Sequence, residues 1–400
     1  MGGMGALKLD RILIISAAVL LCLGLLMVAS ASMVIAENDN LDPFHFVIRH
    51  GISIFIAVCS AVVAYQIPMQ FWERISGPLF FLALLILGLV LAFGITVNGS
   101  TRWVSLGVMN FQPSEMAKIF VLIYIASFIV RKRTEVQGQI SGVLKPVVIL
   151  FIPAVLLLAE PDFGSVVVLS VAAFVMLFMG GVRVKYFALL VIFGAGLFYL
   201  LLITQPYRVA RLLAFLHPWE NQYGSGYQLV QSLIAYGRGG WMGQGYGSSI
   251  QKLLYLPEAH TDFLISVFAE ELGLMGMMVV TGLFSALIFS ALFISRAAEK
   301  RQAYFSAYLG YGLGTLVGIQ AAFNLGVSMG LLPTKGLTLP LMSYGGSSLL
   351  STCFLLAILL RINKENALAK ESITAKRKPK RKKKPASDTS LQPSPLRAAL

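Results

Sequence analysis

The chain has 400 residues, 57% of them hydrophobic and only 12% charged, with a mean hydropathy of +0.78. Soluble domains carry about 25% charged residues, so this chain cannot coat a water-soluble body of its size, and a soluble enzyme is excluded. Its apolar runs are long and unalternated, which also excludes a membrane β-barrel and leaves an all-α polytopic integral membrane protein. The net charge of +14 is concentrated at one end. From Arg361 onward there are 12 Lys or Arg against 3 Asp or Glu, so the excess says little about a substrate. Cys22, Cys59 and Cys353 all lie in apolar stretches and read as small buried hydrophobes, with no disulfide framework or metal cluster.

A span needs about 20 apolar residues. Ten apolar runs can be read as spans, at about 12–36, 47–65, 77–95, 114–130, 146–159, 164–181, 186–204, 263–295, 304–330 and 347–362. The first is longer than a signal-peptide core of about 7–15 residues, and the eighth and ninth are long enough to tilt or break. Lys and Arg collect in one alternating set of loops, around Arg74, Arg131–Arg133, Arg183–Lys185 and Arg296–Arg301. The positive-inside rule places these loops and both termini in the cytoplasm. The organisation is then a short N-terminus (1–11), a ten-helix membrane domain (12–362) and a basic, disordered cytoplasmic tail (363–400). A juxtamembrane basic cluster of this kind suits anionic lipid or a partner better than nucleic acid.

The outer face carries the larger polar segments 96–113, 205–262 and 331–346. The second joins spans seven and eight and is too long for a plain connector. Its Gly, Pro, Tyr and Trp content predicts a structured cap with reentrant or interfacial pieces.

Ionisable residues at membrane depth are functional candidates. Asn98-Gly99-Ser100 fits a glycosylation sequon, a pattern too short to weigh. Ser114 is a candidate N-cap for the fourth span, with Glu115 in its first turn. Glu115 and Lys118 share a helical face. They read as a structural ion pair at the membrane edge, or as a cation held for an anionic ligand. Glu160-Pro161-Asp162-Phe163-Gly164 is a tight turn whose carboxylates could cap the sixth helix or ligate a cation. Asp262 stands where the large loop meets the eighth span, a partly desolvated position that raises a carboxyl pKa and suits a general base. The alternative is a helix-terminal carboxylate. His260 could be a base, a ligand or a loop hydrogen-bonder. Arg102, Lys118, Arg208, Arg211, Arg238, Lys252 and Lys335 give the outer side many cations, which suits a phosphate-bearing substrate. Walker, His-Glu-x-x-His and Gly-x-Ser-x-Gly patterns are missing from the sequence, so ATP hydrolysis, zinc proteolysis and serine hydrolysis lack support.

The strings Tyr255-Leu-Pro-Glu-Ala-His-Thr-Asp262-Phe, Ala269-Glu-Glu-Leu-Gly273 and Pro333-Thr-Lys-Gly-Leu-Thr-Leu-Pro-Leu-Met-Ser-Tyr-Gly-Gly-Ser347 resemble the SEDS family of bacterial cell-wall polymerases. Gly224-Ser-Gly-Tyr-Gln-Leu229 and Pro161-Asp-Phe-Gly164 extend the resemblance, which runs from about residue 10 to 364. The Thr334–Pro340 string and the order Glu258-Ala-His260 are closer to the division branch than to the elongation branch.

The resemblance implies a peptidoglycan glycosyltransferase acting on lipid II at the outer leaflet of the inner membrane, at the septum. The acceptor 4-hydroxyl attacks the donor C1 with inversion, and the lipid pyrophosphate leaves. Asp262 falls on the family's essential aspartate, and Arg102, Glu115 and Lys118 fall on its cavity positions. His260 and Lys335 join them as candidate substrate-binding residues. The leaving pyrophosphate needs positive charge, from Arg102, Lys118 or a divalent ion (Mg or Mn). No organic cofactor and no nucleic acid are expected. A class B penicillin-binding transpeptidase and other divisome proteins are the implied partners. Rival readings are a lipid II flippase, which needs a polar route across the midplane, and a non-catalytic scaffold.

Overall fold

The computed structural model describes residues 2–97, 100–105 and 110–377. In chain order it contains α1 (Gly2–Asn38), α2 (His45–Gln66), α3 (Met69–Arg74), α4 (Ser76–Phe93), strands β1 (Ile95–Val97), β2 (Ser100–Ser105) and β3 (Asn110–Phe111), then α5 (Pro113–Arg131), α6 (Arg133–Gly138), α7 (Ser141–Ala159), α8 (Phe163–Met179), α9 (Val184–Ile203), α10 (Pro206–Leu216), α11 (Tyr227–Gly239), α12 (Leu264–Lys300), α13 (Tyr304–Ser328) and α14 (Gly346–Arg377). Each apolar run overlaps one long helix. Eight helices are long and apolar enough to cross a membrane: α1, α2, α4, α5, α7, α9, α12 and α14. With the 17-residue apolar α8 and the 25-residue α13 they make a multi-pass helical membrane protein.

α5 is the axis of the bundle. Ile119, Leu122, Ile123 and Ile129 along it are all fully buried, and α4, α8, α13 and α14 pack around it. Apolar residues on every side are what a helix in the middle of a bundle requires. α9 is the opposite case, an apolar helix with Val184, Ile192 and Phe193 exposed and few neighbours beyond α7 and α10. In a membrane protein such a surface faces lipid.

Four expectations need correction. The protein is not purely helical, because the three strands form a small antiparallel sheet in the order β1-β2-β3, with Thr96 opposite Thr101 and Val104 opposite Phe111. The β-branched Ile95-Thr-Val97 run is the local reason. Cys22 and Cys59 are exposed on the apolar outer surface, and only Cys353 is buried. The boundary at 363 is no break, since α14 continues to Arg377. Asn363 there donates to Asp10 Oδ1 at 2.7 Å, and Glu365 accepts from Arg361 Nε at 3.0 Å. Finally, Ser114 is not an N-cap. Pro113 takes the first helical position, which suits a residue without an amide donor, so Gln112 becomes the cap residue. The sequon residues Asn98 and Gly99 and the tail from 378 lie outside the described residues.

α12 is broken at Gly273, whose φ of 63° lies in the left-handed region that glycine enters without a steric cost. The half-helix 264–272 is held to the preceding loop by backbone bonds. Gln244 N donates to Glu270 O at 3.0 Å, Gly245 N to Glu271 O at 3.0 Å, and Leu274 N to Gly240 O at 3.0 Å. A break in an apolar helix is tolerated where protein groups restore the lost bonds.

Candidate active site

Three segments meet at one end of the bundle: the α7–α8 turn, the residues before α12, and the loop from 331 to 345. Asp162 caps α8, its Oδ1 accepting from the Ser165 amide at 3.2 Å and its Oδ2 from Ser165 Oγ at 2.6 Å. Ser114 Oγ donates to the same Oδ2 at 3.4 Å. Arg102, on β2, donates through Nε to the Glu160 carbonyl at 3.0 Å and through Nη2 to the Pro161 carbonyl. The hairpin is thereby clamped to the turn.

The carboxyl groups diverge sharply. Burial pushes Asp162 upward, but Arg102, the Ser165 hydrogen bond, Lys118 and Lys335 outweigh it and hold the group below its ordinary range. Glu160 is fully buried, and neither carboxyl oxygen has a hydrogen-bond partner among the described residues. Burial, with Asp162 beside it and Arg102 opposing, pushes it up to about 8, so it is protonated at neutral pH. Asp262 is pushed up to about 7 by burial and by Glu258, against the pull of Arg102 and Arg211.

Asp262 precedes α12 without capping it; Phe263 occupies the cap position and no side-chain cap bond forms. Its carboxylate lies against Gly336. A methyl group on Gly336 would stand 2.5 Å from Asp262 Oδ2, so glycine is what lets the two loops close. Lys335, next in the chain, has its Nζ 4.9 Å from the centre of the Phe163 ring, and the Arg208 guanidinium stands 4.8 Å from the same ring, both within cation–π reach. Burial, with Arg102, Arg211 and Arg208 nearby and Asp162 opposing, lowers Lys335 to about 7. A pocket of about 80 Å³ is lined by Phe163, Gly164, Val167, Leu202, Leu212, Phe323 and Pro333 together with Arg208, Arg211, Thr334 and Lys335. It is an apolar slot with cations in its wall. A roomier cavity of about 570 Å³ touches Val130, Arg301 and Glu365. It lies beyond the far end of α5, about 27 Å from the first group by helix rise, and shares no residue with it.

The sequence candidates divide. Arg102, Lys335 and Asp262 come together. Glu115 and Lys118 form an ion pair at 2.7 Å, buried inside the bundle at the first turns of α5. Gln320 Nε2 and Ser351 Oγ lie 3.4 Å and 3.3 Å from Glu115 Oε2. Lys118 is shut off from solvent and touches the site through its field on Asp162. The His260 ring packs on Phe46 and Tyr344, with centroids 5.1 Å and 5.5 Å away, and its carbonyl accepts from the Tyr344 amide at 3.0 Å. Its Nδ1 is buried without a partner among the described residues, and burial lowers its pKa, against Glu258 and Asp39.

Sequence reasoning missed Gln320 and Asn324. Polar side chains four residues apart in an apolar helix are a signal, but only folding shows that they face Glu115 and Asp262. Among the described residues no group of three or more His, Cys, Asp or Glu side chains is arranged to hold a metal.

Residues 10–368 match the family model of FtsW, RodA and SpoVE, described as cell cycle proteins. The chain is 51% identical over 355 residues to the probable peptidoglycan glycosyltransferase FtsW of Coxiella burnetii, covering 88% of this chain and 95% of that one. It is 49% identical over 349 residues to the protein of that name from Legionella pneumophila, covering 87% and 89%. A solved peptidoglycan synthase complex, described as coordinating polymerization and crosslinking, contains a chain that superposes with a TM-score of 0.70 at 27% identity, covering 88% of this chain and 97% of that one. The rod shape determining protein RodA of Thermus thermophilus superposes with a TM-score of 0.65 at 26% identity, covering 88% and 96%. With nearly the whole membrane domain matched, this chain belongs to the FtsW, RodA and SpoVE family.

Proposed function

We propose that this protein is a peptidoglycan glycosyltransferase of the division type, a ten-span inner-membrane enzyme that polymerises lipid II at the septum with its site toward the periplasm. The observation that carries the mechanism is the half-buried Asp262 carboxylate, pushed up to about 7 beside a cationic, partly apolar slot. A sugar hydroxyl is a weak nucleophile, and a base whose pKa lies near the working pH serves it best. Asp262 takes the proton of the acceptor 4-hydroxyl as the oxygen bonds to the donor C1. The bond from C1 to the pyrophosphate oxygen breaks on the opposite face, which inverts the centre. Arg102, Arg208, Arg211 and Lys335 supply the charge that the departing pyrophosphate needs, and no step is routed through a metal. The apolar walls of the slot suit the first isoprene units of the lipid. Lys118, held by Glu115, acts on the site through its field on Asp162. His260 braces the Asp262 segment against Tyr344.

The relatives' names support the substrate. The synthase complex among the solved neighbours supports a transpeptidase partner, which we assign to the class B penicillin-binding proteins. The test is purified full-length protein with lipid II in detergent, scored for glycan chains. Chains from the unaltered protein and none from Asp262→Asn are expected. Lipid II transport in vesicles without chain formation would instead establish a flippase, and neither activity, with partner recruitment intact, a scaffold.

A further inference from the structure

The carboxyl oxygens of Asp262 and the ammonium of Lys335 belong to separate loops, and a base and a leaving-group cation act together only if those loops keep their spacing. Asn324, in α13, is 3% exposed. Its Nδ2 donates to the backbone carbonyl of Asp262 at 2.8 Å and to that of Leu337 at 2.6 Å. A primary amide has two N–H donors, and both are spent here, one on each loop. Leu337 is two residues beyond Lys335 and adjoins Gly336, the residue against the Asp262 carboxylate. The amide orientation is fixed, because a flipped group would set its oxygen against two carbonyl oxygens. α13 supplies a rigid mount, packed between α12 and α8. A backbone bond from Tyr344 N to His260 O at 3.0 Å also joins the two loops.

We propose that Asn324 is a positioning residue for glycosyl transfer, whose single side-chain amide fixes the distance between Asp262 and Lys335 by bonding both loops. This rests on the reading of Asp262 as the base. Asn324 touches no substrate. It acts through the backbone, so its loss moves two correctly charged groups out of register. Misplacement by about 1 Å can cost about 10²-fold in rate. The charged groups that face Asp262 are Glu258 from its own loop, Arg102 from β2 and Arg211 from α10. A neutral substitution at 324 leaves all three in place, so any change in the pH profile reports spacing and hydration.

The experiment uses full-length protein with lipid II in detergent, measuring kcat, KM and the pH dependence of kcat per folded molecule. Asn324→Ala is expected to lower kcat about 10²-fold with KM within about threefold. The acidic limb should move to lower pH as water enters the parted loops. Asn324→Asp, which turns the donor into an acceptor facing two carbonyls, should lose at least as much. Ser328→Ala, one turn on in the same helix, should leave kcat and the pH limb unchanged. Where the alanine variant does not purify, Asn324→Ser keeps one hydroxyl donor, and its kcat should fall between those of Asn324→Ala and the unaltered protein. If Asp262→Asn is inactive while the tested Asn324 variant turns over within threefold of normal, the inference is wrong and the base assignment stands. A loss of kcat with an unmoved acidic limb overturns it too. An active Asp262→Asn protein overturns the base assignment and, with it, the role of Asn324.

Discussion

Gly336→Ala is the most direct probe of how closely the two loops must fit. Gly336 is exposed and its φ lies outside the left-handed region, so alanine meets no backbone strain. The new methyl would stand 2.5 Å from Asp262 Oδ2 and 3.5 Å from its Cγ. Ordinary contact begins near 3.4 Å, so the oxygen has to retreat by about 0.9 Å. A displacement of about 1 Å at a reacting group can cost about 10²-fold, and the loss should fall on kcat, because the nearest atoms the methyl meets across the gap all belong to Asp262. The assay is lipid II polymerisation by purified protein with kcat and KM separated, alongside a thermal melt. A melt close to normal with kcat down by about two orders of magnitude is expected. A variant that folds and turns over within threefold of normal would refute the reasoning, since it would show that the Asp262 carboxylate can leave Gly336 without consequence.

Three further outcomes follow from the same geometry. Asp262→Asn should abolish chain formation yet raise the melting temperature at pH 8. A carboxyl whose pKa is raised on folding stabilises fully below its unfolded value and loses that contribution as pH climbs through about 7, so the gain should vanish in acid when melts are repeated near pH 4. Activity should peak near neutrality, because Asp262 must be ionised while Lys335, lowered to about 7, must stay charged; Lys335→Arg should extend the alkaline limb upward, and an unmoved limb would exclude Lys335 as its source. Lys252→Met should cost about 3–5 kcal/mol by stranding the buried Glu271, whereas Lys252→Met with Glu271→Gln should recover most of that in a double-mutant melt, and additive losses would show that the pair is uncoupled.

The spans were legible in the sequence because apolar length alone makes a membrane helix, and each of the ten runs overlaps a helix. Asp262 was legible because a carboxylate at the edge of an apolar run stands out, as was Asp162 as a cap. The rest depends on contacts far apart in the chain. Asn324 meets Asp262 across 62 positions, Gln320 meets Glu115 across 205, and neither distance leaves a periodic trace. The strands β1, β2 and β3 are too short to show a clear alternation, and the pull of Arg102 on three carboxyl groups exists only once strands, turn and loop converge. In the sequence Lys118 reads either as half of a structural ion pair or as a cation held for a ligand. The fold closes it inside the bundle because α13 and α14 cover the first turns of α5 with Gln320 and Ser351.

The two ends of the half-helix 264–272 show how the carboxyl group is given opposite tasks. At the Gly273 end, Glu270 accepts from Ser249 Oγ at 2.5 Å and from the amides of Ile250 and Gln251 at 3.2 Å each, and pairs with Arg238 at 3.3 Å. Glu271 accepts from Ser30 Oγ at 2.6 Å and from Lys252 Nζ at 3.0 Å, while that ammonium also donates to Ser30 Oγ and to the Gly247 carbonyl. These bonds tie the large loop to α1 and to the break in α12. At the other end Asp262 is half-buried beside a glycine, with its proton affinity raised. The bonded network at the Gly273 end holds the segment still, so that Asp262 at the other end can stay reactive without the loop collapsing onto it. Weakening the Glu270 and Glu271 network should therefore slow the reaction through the position of Asp262, even though neither residue reaches the slot.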